Sequence, residues 1–68
     1  MQYTAIIKQD GDWWIGWIEE VPGVNCQERT HDELIDSLKI TLQEAINLNK
    51  HDAIISAGKG FKEEIIAV

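Results

Sequence analysis

Residues 13–30, Trp13-Trp14-Ile15-Gly16-Trp17-Ile18-Glu19-Glu20-Val21-Pro22-Gly23-Val24-Asn25-Cys26-Gln27-Glu28-Arg29-Thr30, decide how this chain folds. Trp13 to Glu19 is rich in aromatic and β-branched side chains and reads as a strand. Val21-Pro22-Gly23-Val24 then reverses the chain. Pro presets φ at the second turn position and Gly accepts φ > 0 at the third, which predicts a type II turn. Val24 to Glu28 follows as a short strand. Thr30-His31-Asp32-Glu33 is a capping-box start. The Thr30 hydroxyl is placed to accept from the Glu33 amide, with the Glu33 carboxylate reaching back to the Thr30 amide.

Working outward, Gln2 to Gln9 reads as an earlier strand, and Asp10-Gly11-Asp12 predicts a hairpin joining it to Trp13–Glu19. Downstream, a helix is expected from His31 to about Asn49. Leu34, Ile35, Leu38, Leu42, Ala45 and Ile46 recur at helical spacing and form its buried stripe, with Ile40 and Leu48 off it. Lys50 and His51 suit the negative end of such a helix. Asp52 to Gly60 reads either as more helix or as an irregular segment. Ile65-Ile66-Ala67-Val68 has strand character. The expected architecture is α+β, a two-layer β-β-β-α-β arrangement: an antiparallel three-stranded sheet, one packed helix and a C-terminal strand, in a single domain over residues 1–68.

The second strand is apolar on both faces. Trp13, Ile15 and Trp17 alternate with Trp14, Gly16 and Ile18. Gly16 marks the face a helix approaches closely, so Trp14, Gly16 and Ile18 are expected beneath the helix. Trp13, Ile15 and Trp17 are then left for another surface, either the C-terminal segment or a partner. An uncovered apolar patch marks an interaction site, and tryptophan is enriched at binding hot spots. Trp13, Trp17, Glu19 and Glu20 are the candidate partner-contact residues.

Composition narrows the function classes. The 68 residues carry 12 acidic and 6 basic side chains, for a net charge of −6. Such a surface repels phosphate backbones and anionic membranes; it either attracts a basic partner or simply keeps the protein soluble. No apolar run spans a bilayer, and the strand-like start after Met1 predicts no secretory leader. Cys26 is the only cysteine, so no intrachain disulfide forms, and a free thiol suits a reducing cytoplasm. With two histidines and one cysteine a structural zinc site is not expected. Small scaffolds without such staples are often supported by self-association, which is expected here as a homo-oligomer, most simply a dimer.

No catalytic constellation is apparent. Asp10, Asp12, Glu19 and Glu20 fall in a turn and at a strand end, whereas a metal-dependent nuclease needs carboxylates converging from mid-strand and helix. Thr4-Ala5-Ile6-Ile7 offers none, and Asp36 and Glu44 lie on the helix's polar side. His31 and His51 have no nearby nucleophile and read as solvated; Cys26 reads as a small apolar filler. Ser56-Ala57-Gly58-Lys59-Gly60 lacks P-loop spacing and reads as a connector. No metal, cofactor or catalytic residue is expected.

Glu20-Val21-Pro22-Gly23-Val24, with Gln27, Thr30, Glu33, Leu38 and Leu42, resembles the pattern of HicB-like antitoxins. The resemblance covers about Tyr3 to Ile46. The chain departs from it at Glu28, where that family has Gly, at Leu34, where it has a small residue, and at Ser37, where it has Asn. The resemblance implies a degenerate ribonuclease-H-like fold without catalytic carboxylates. It also implies a cytoplasmic module that neutralises a small basic HicA-type mRNA-cleaving toxin. Many such proteins carry a C-terminal operator-binding domain, for which a chain ending at Val68 leaves no room. The alternatives are an orphan structural or regulatory HicB-like module with no toxin, and a residual ribonuclease-H-type nuclease.

Overall fold

In the computed structural model, which describes residues 2–68, three strands precede one long helix. The strands are β1 (Ala5–Asp10), β2 (Trp13–Ile18) and β3 (Asn25–Glu28), and the helix is α1 (His31–Ala57). The sheet is antiparallel in the order β1-β2-β3, so β1 and β3 are both edges. This is an α+β architecture with an antiparallel three-stranded sheet and one helix.

Local chemistry accounts for each connection. Gly11 occupies the first position of the two-residue loop between β1 and β2 with φ 60°, which suits a tight hairpin turn. Gly23 has φ 90°, and the Val24 amide donates to the Val21 carbonyl at 3.4 Å, as the Pro-Gly turn predicts. Val24 lies just before β3, but its carbonyl still accepts from the Ile18 amide at 3.0 Å. The first strand begins at Ala5 rather than Gln2; pairing reaches only to the Thr4 carbonyl, which accepts from the Glu19 amide at 2.9 Å.

Register sets the faces. Ile18, Gly16 and Trp14 pair with Ala5, Ile7 and Gln9 of β1, and Gly16 and Trp14 pair with Cys26 and Glu28 of β3. This face meets α1. Ile18, Val24, Leu34 and Leu38 form the buried core, with Tyr3, Ile7, Trp14, Val21, Cys26, Leu42 and Ala45 packed around it. A Cβ on Gly16 would lie 3.1 Å from the Ile6 carbonyl oxygen, Ile7 Cγ2 and Leu38 Cδ1. The missing side chain is therefore what seats the helix. Gly16→Val is expected to destabilise the fold by about 1–3 kcal/mol through overpacking. A urea-unfolding midpoint equal to that of the wild type would refute this role.

The helix starts as expected, with one difference. Thr30 Oγ1 accepts from the Glu33 amide at 3.2 Å, but its hydroxyl donates to Glu33 Oε1 at 2.9 Å, so the carboxylate meets the side chain rather than the Thr30 amide. The helix also runs eight residues past the expected end at Asn49. Gln43 Nε2 donates to Asn47 Oδ1 at 3.1 Å, an i,i+4 pair that supports the helix just before its expected end. The first helix breaker after that is Gly58, at φ 72°, whose amide donates to the Ile54 and Ile55 carbonyls. Lys50 and His51 therefore lie within the helix, and the last turn holds no basic residue.

The expected C-terminal strand does not form within the subunit. Residues 61–68 have no regular structure. Phe61, Lys62 and Glu63 lie against Lys50, Ala53, Ile54 and Ala57 of the helix. Ile65, Ile66 and Val68 are fully or largely exposed. A strand needs a ladder partner for its backbone groups, and this segment is held far from the sheet by the length of the helix before it.

Candidate functional site

The face of the sheet opposite α1 follows from the same register. Ile6, Trp17 and Asn25 form one row across it, Lys8, Ile15 and Gln27 the next, and Asp10 and Trp13 a third. The guanidinium of Arg29, just beyond β3, sits 3.9 Å from the centre of the Trp13 ring, a cation–π contact. Neither the helix nor the C-terminal residues cover this face. Trp17 is 40% and Ile6 38% exposed, while Trp13 and Ile15 are half-buried. The centre is thus an apolar strip of Ile6, Ile15 and Trp17.

Of the sequence-derived candidates, Trp13 and Trp17 share this face but stand about 13 Å apart along the strand, with Ile15 between them. Only Trp17 presents a freely accessible indole; Trp13 is capped by Arg29. Glu19 and Glu20 follow the Trp17 end of β2, and both are exposed. Asp10 and Asp12 flank the Trp13 end. These two carboxylate pairs lie at opposite ends of a six-residue strand, about 20 Å apart. They frame the apolar strip and do not converge on a common centre. No group of three or more His, Cys, Asp or Glu side chains is gathered tightly enough to hold a metal ion among the described residues.

Glu20 also has a local task. Its Oε1 accepts from the Thr4 amide at 2.7 Å, tying the chain before β1 to the end of β2. That backbone hydrogen bond favours the ionised carboxylate and holds its pKa below the ordinary value. The contribution of a carboxyl depressed in the folded state is present above its unfolded pKa and is lost as pH falls through its folded pKa. In an NMR titration Glu20 should therefore titrate below the usual glutamate range, with the Thr4 amide resonance moving at the same midpoint. A midpoint within or above that range would show that the bond is not held in solution.

Three further side chains make specific contacts at the sheet–helix junction: His31 while still exposed, Cys26 while packed beside the core, and Ser37. His31 packs edge-on against Trp14, ring centres 5.5 Å apart, and its Nδ1 is 3.1 Å from Asp32 Oδ1, so it helps close the sheet-to-helix junction. Cys26 is half-buried with Sγ 3.4 Å from Thr41 Oγ1. Ser37 donates to Glu28 Oε2 across the β3–α1 interface, so two of the three positions that depart from the HicB-like pattern are bonded to each other. The Arg29–Trp13 contact was legible in principle. Extending the β2–β3 pairing one residue past Trp14↔Glu28 brings Arg29 opposite Trp13.

No family model, curated protein or solved structure matches this chain. No described helix is long and apolar enough to cross a membrane.

Proposed function

We propose that this protein is an antitoxin-like binding module of the HicB-like type, which neutralises a small basic HicA-type mRNA-cleaving toxin by covering its active face. The observation that carries this reading is the uncovered strip of Ile6, Ile15 and Trp17, framed by Asp10 and Asp12 at one end and Glu19 and Glu20 at the other. An apolar centre with a charged rim is the usual anatomy of a protein interface. The acidic rim and the net charge of −6 favour approach of a basic partner and discourage nucleic acid. The resemblance in the turn and helix start, from Glu20 to Leu42, supplies the identity of that partner class. The module acts as a folded surface, in a cytoplasmic setting, without cofactor or metal.

The test is reconstitution with a purified small basic HicA-type toxin. Stoichiometric suppression of its mRNA cleavage by the purified protein is expected. Cleavage that persists at excess of this protein, with no heat of binding, would reject the toxin as partner.

A further inference from the structure

We propose that Glu63–Val68 of one copy adds as a fourth strand along the free edge of β1 in a second copy, closing the cleft between β1 and α1. The inference rests on self-association of the chain but not on the toxin, because it uses a sheet edge rather than the Trp17 face.

Four observations converge on it. The segment has strand-forming residues but no regular structure and no ladder partner. Ile65-Ile66-Ala67-Val68 has β-forming side chains, and Ile65, Ile66 and Val68 are 101%, 82% and 125% exposed. The edge of β1 is an open template. α1 lies mainly over β2 and β3 and touches β1 chiefly near Ile7, leaving the outer edge of β1 open. Beside β1 is an open cleft of about 170 Å³ lined by Tyr3, Ala5, Ile35, Leu38 and Leu42, with Lys39 at its rim. Ala5 is exposed although it lies on the helix side of the sheet. An added strand would turn alternate side chains of the Ile65–Val68 run into this cleft and satisfy the outward backbone groups of β1. β3 is the poorer acceptor: it is four residues long, polar, and ends on Glu28, which repels Glu63 and Glu64. β1 is six residues long and carries Lys8, and with Lys39 nearby it matches those two acids.

The strand must come from another copy because its own is out of reach. Leu42, at the near end of the cleft, lies sixteen residues before Gly58, about 24 Å along a helix. Ile65 lies seven positions after Gly58, and fully extended that stretch spans at most about 25 Å. Only the last three residues could then pass Leu42, too few to pair along β1. A second copy lifts this constraint.

Charge also favours the exchange. Residues 1–49 hold nine of the twelve acids and three of the six bases, so the whole net charge of −6 lies there and residues 50–68 are neutral. Strand exchange sets the neutral end of each copy, with Lys50, Lys59 and Lys62, against the acidic end of the other. The contact is reciprocal, so it closes as a two-fold dimer.

The test pairs sedimentation velocity with hydrogen exchange on the full chain and on an Ile65→Pro/Ile66→Pro double variant. Adjacent residues in a strand donate to opposite sides, so one of the two prolines removes a ladder donor in either register. Both residues are exposed within the subunit, so the variant keeps its helix, which circular dichroism verifies. The expected result is a wild-type dimer with protected β1 amides, and a variant whose dimerisation is at least tenfold weaker and whose β1 protection is lost. A monomeric wild type overturns the proposal and self-association with it. A variant that remains dimeric overturns the strand exchange and leaves self-association standing.

Discussion

Replacing Leu34 by alanine is expected to cost about 2–5 kcal/mol of folding stability. Among the described residues Leu34 is the one fully buried large side chain, at 0% exposure, and it joins the first turn of α1 to Ile18, Val24 and Leu38. Deleting its isobutyl group removes transfer free energy and leaves a cavity that a sheet fixed by its register is poorly able to collapse. A core of this size supplies about 3–5 kcal/mol in all, so the change consumes most of the available stability. Far-ultraviolet circular dichroism should show loss of the cooperative thermal transition at room temperature or only slightly above it. Leu34→Ile, which keeps the volume, should lose less than about 1.5 kcal/mol. An alanine variant that melts where the wild type melts would show that the core does not hinge on this residue.

Trp17→Ala should weaken binding to the basic partner by at least about thirty-fold, the loss of a hot-spot residue worth about 2 kcal/mol. Trp17 stands mid-row between Ile6 and Asn25 on the uncovered face, and at 40% exposure it contributes little to the core. The fold should therefore survive, with the urea midpoint lowered only by the lost cross-strand contacts, about 1 kcal/mol. Trp13→Ala should weaken binding less, because the Trp13 ring is already stacked under Arg29. Titration calorimetry of both variants ranks them. Equal affinity for wild type and Trp17→Ala would move the contact surface off this face.

The two changes separate the faces of one strand. Gly16 and Ile18 face the helix, whereas Trp17, between them in sequence, faces away. A period of two along β2 thus divides stability from recognition at single-residue resolution. For the same reason a slip of one residue in the β1–β2 pairing would exchange the two functions, and the short Gly11-Asp12 loop is what prevents it.

The sequence by itself determined the local elements. Periodicity marked Leu34, Leu38 and Leu42 as the inner stripe of α1, and the absent side chain of Gly16 identified which face of β2 the helix would meet. Pro22-Gly23 and Thr30 located the turn and the helix start, because backbone dihedrals and caps depend on residues only a few positions apart. The helix runs past its expected end at Asn49 because the low helix propensity of Asn is a weak prior, and no Gly or Pro follows until Gly58. Tertiary structure alone decided the rest. The Glu20 tie to Thr4, the Ser37–Glu28 bond and the unpaired Ile65–Val68 all depend on residues brought together, or kept apart, by the register of the sheet and the length of the helix. Strand character belongs to a segment, but a strand exists only where a partner's backbone lies within reach, and that distance is set by the whole fold.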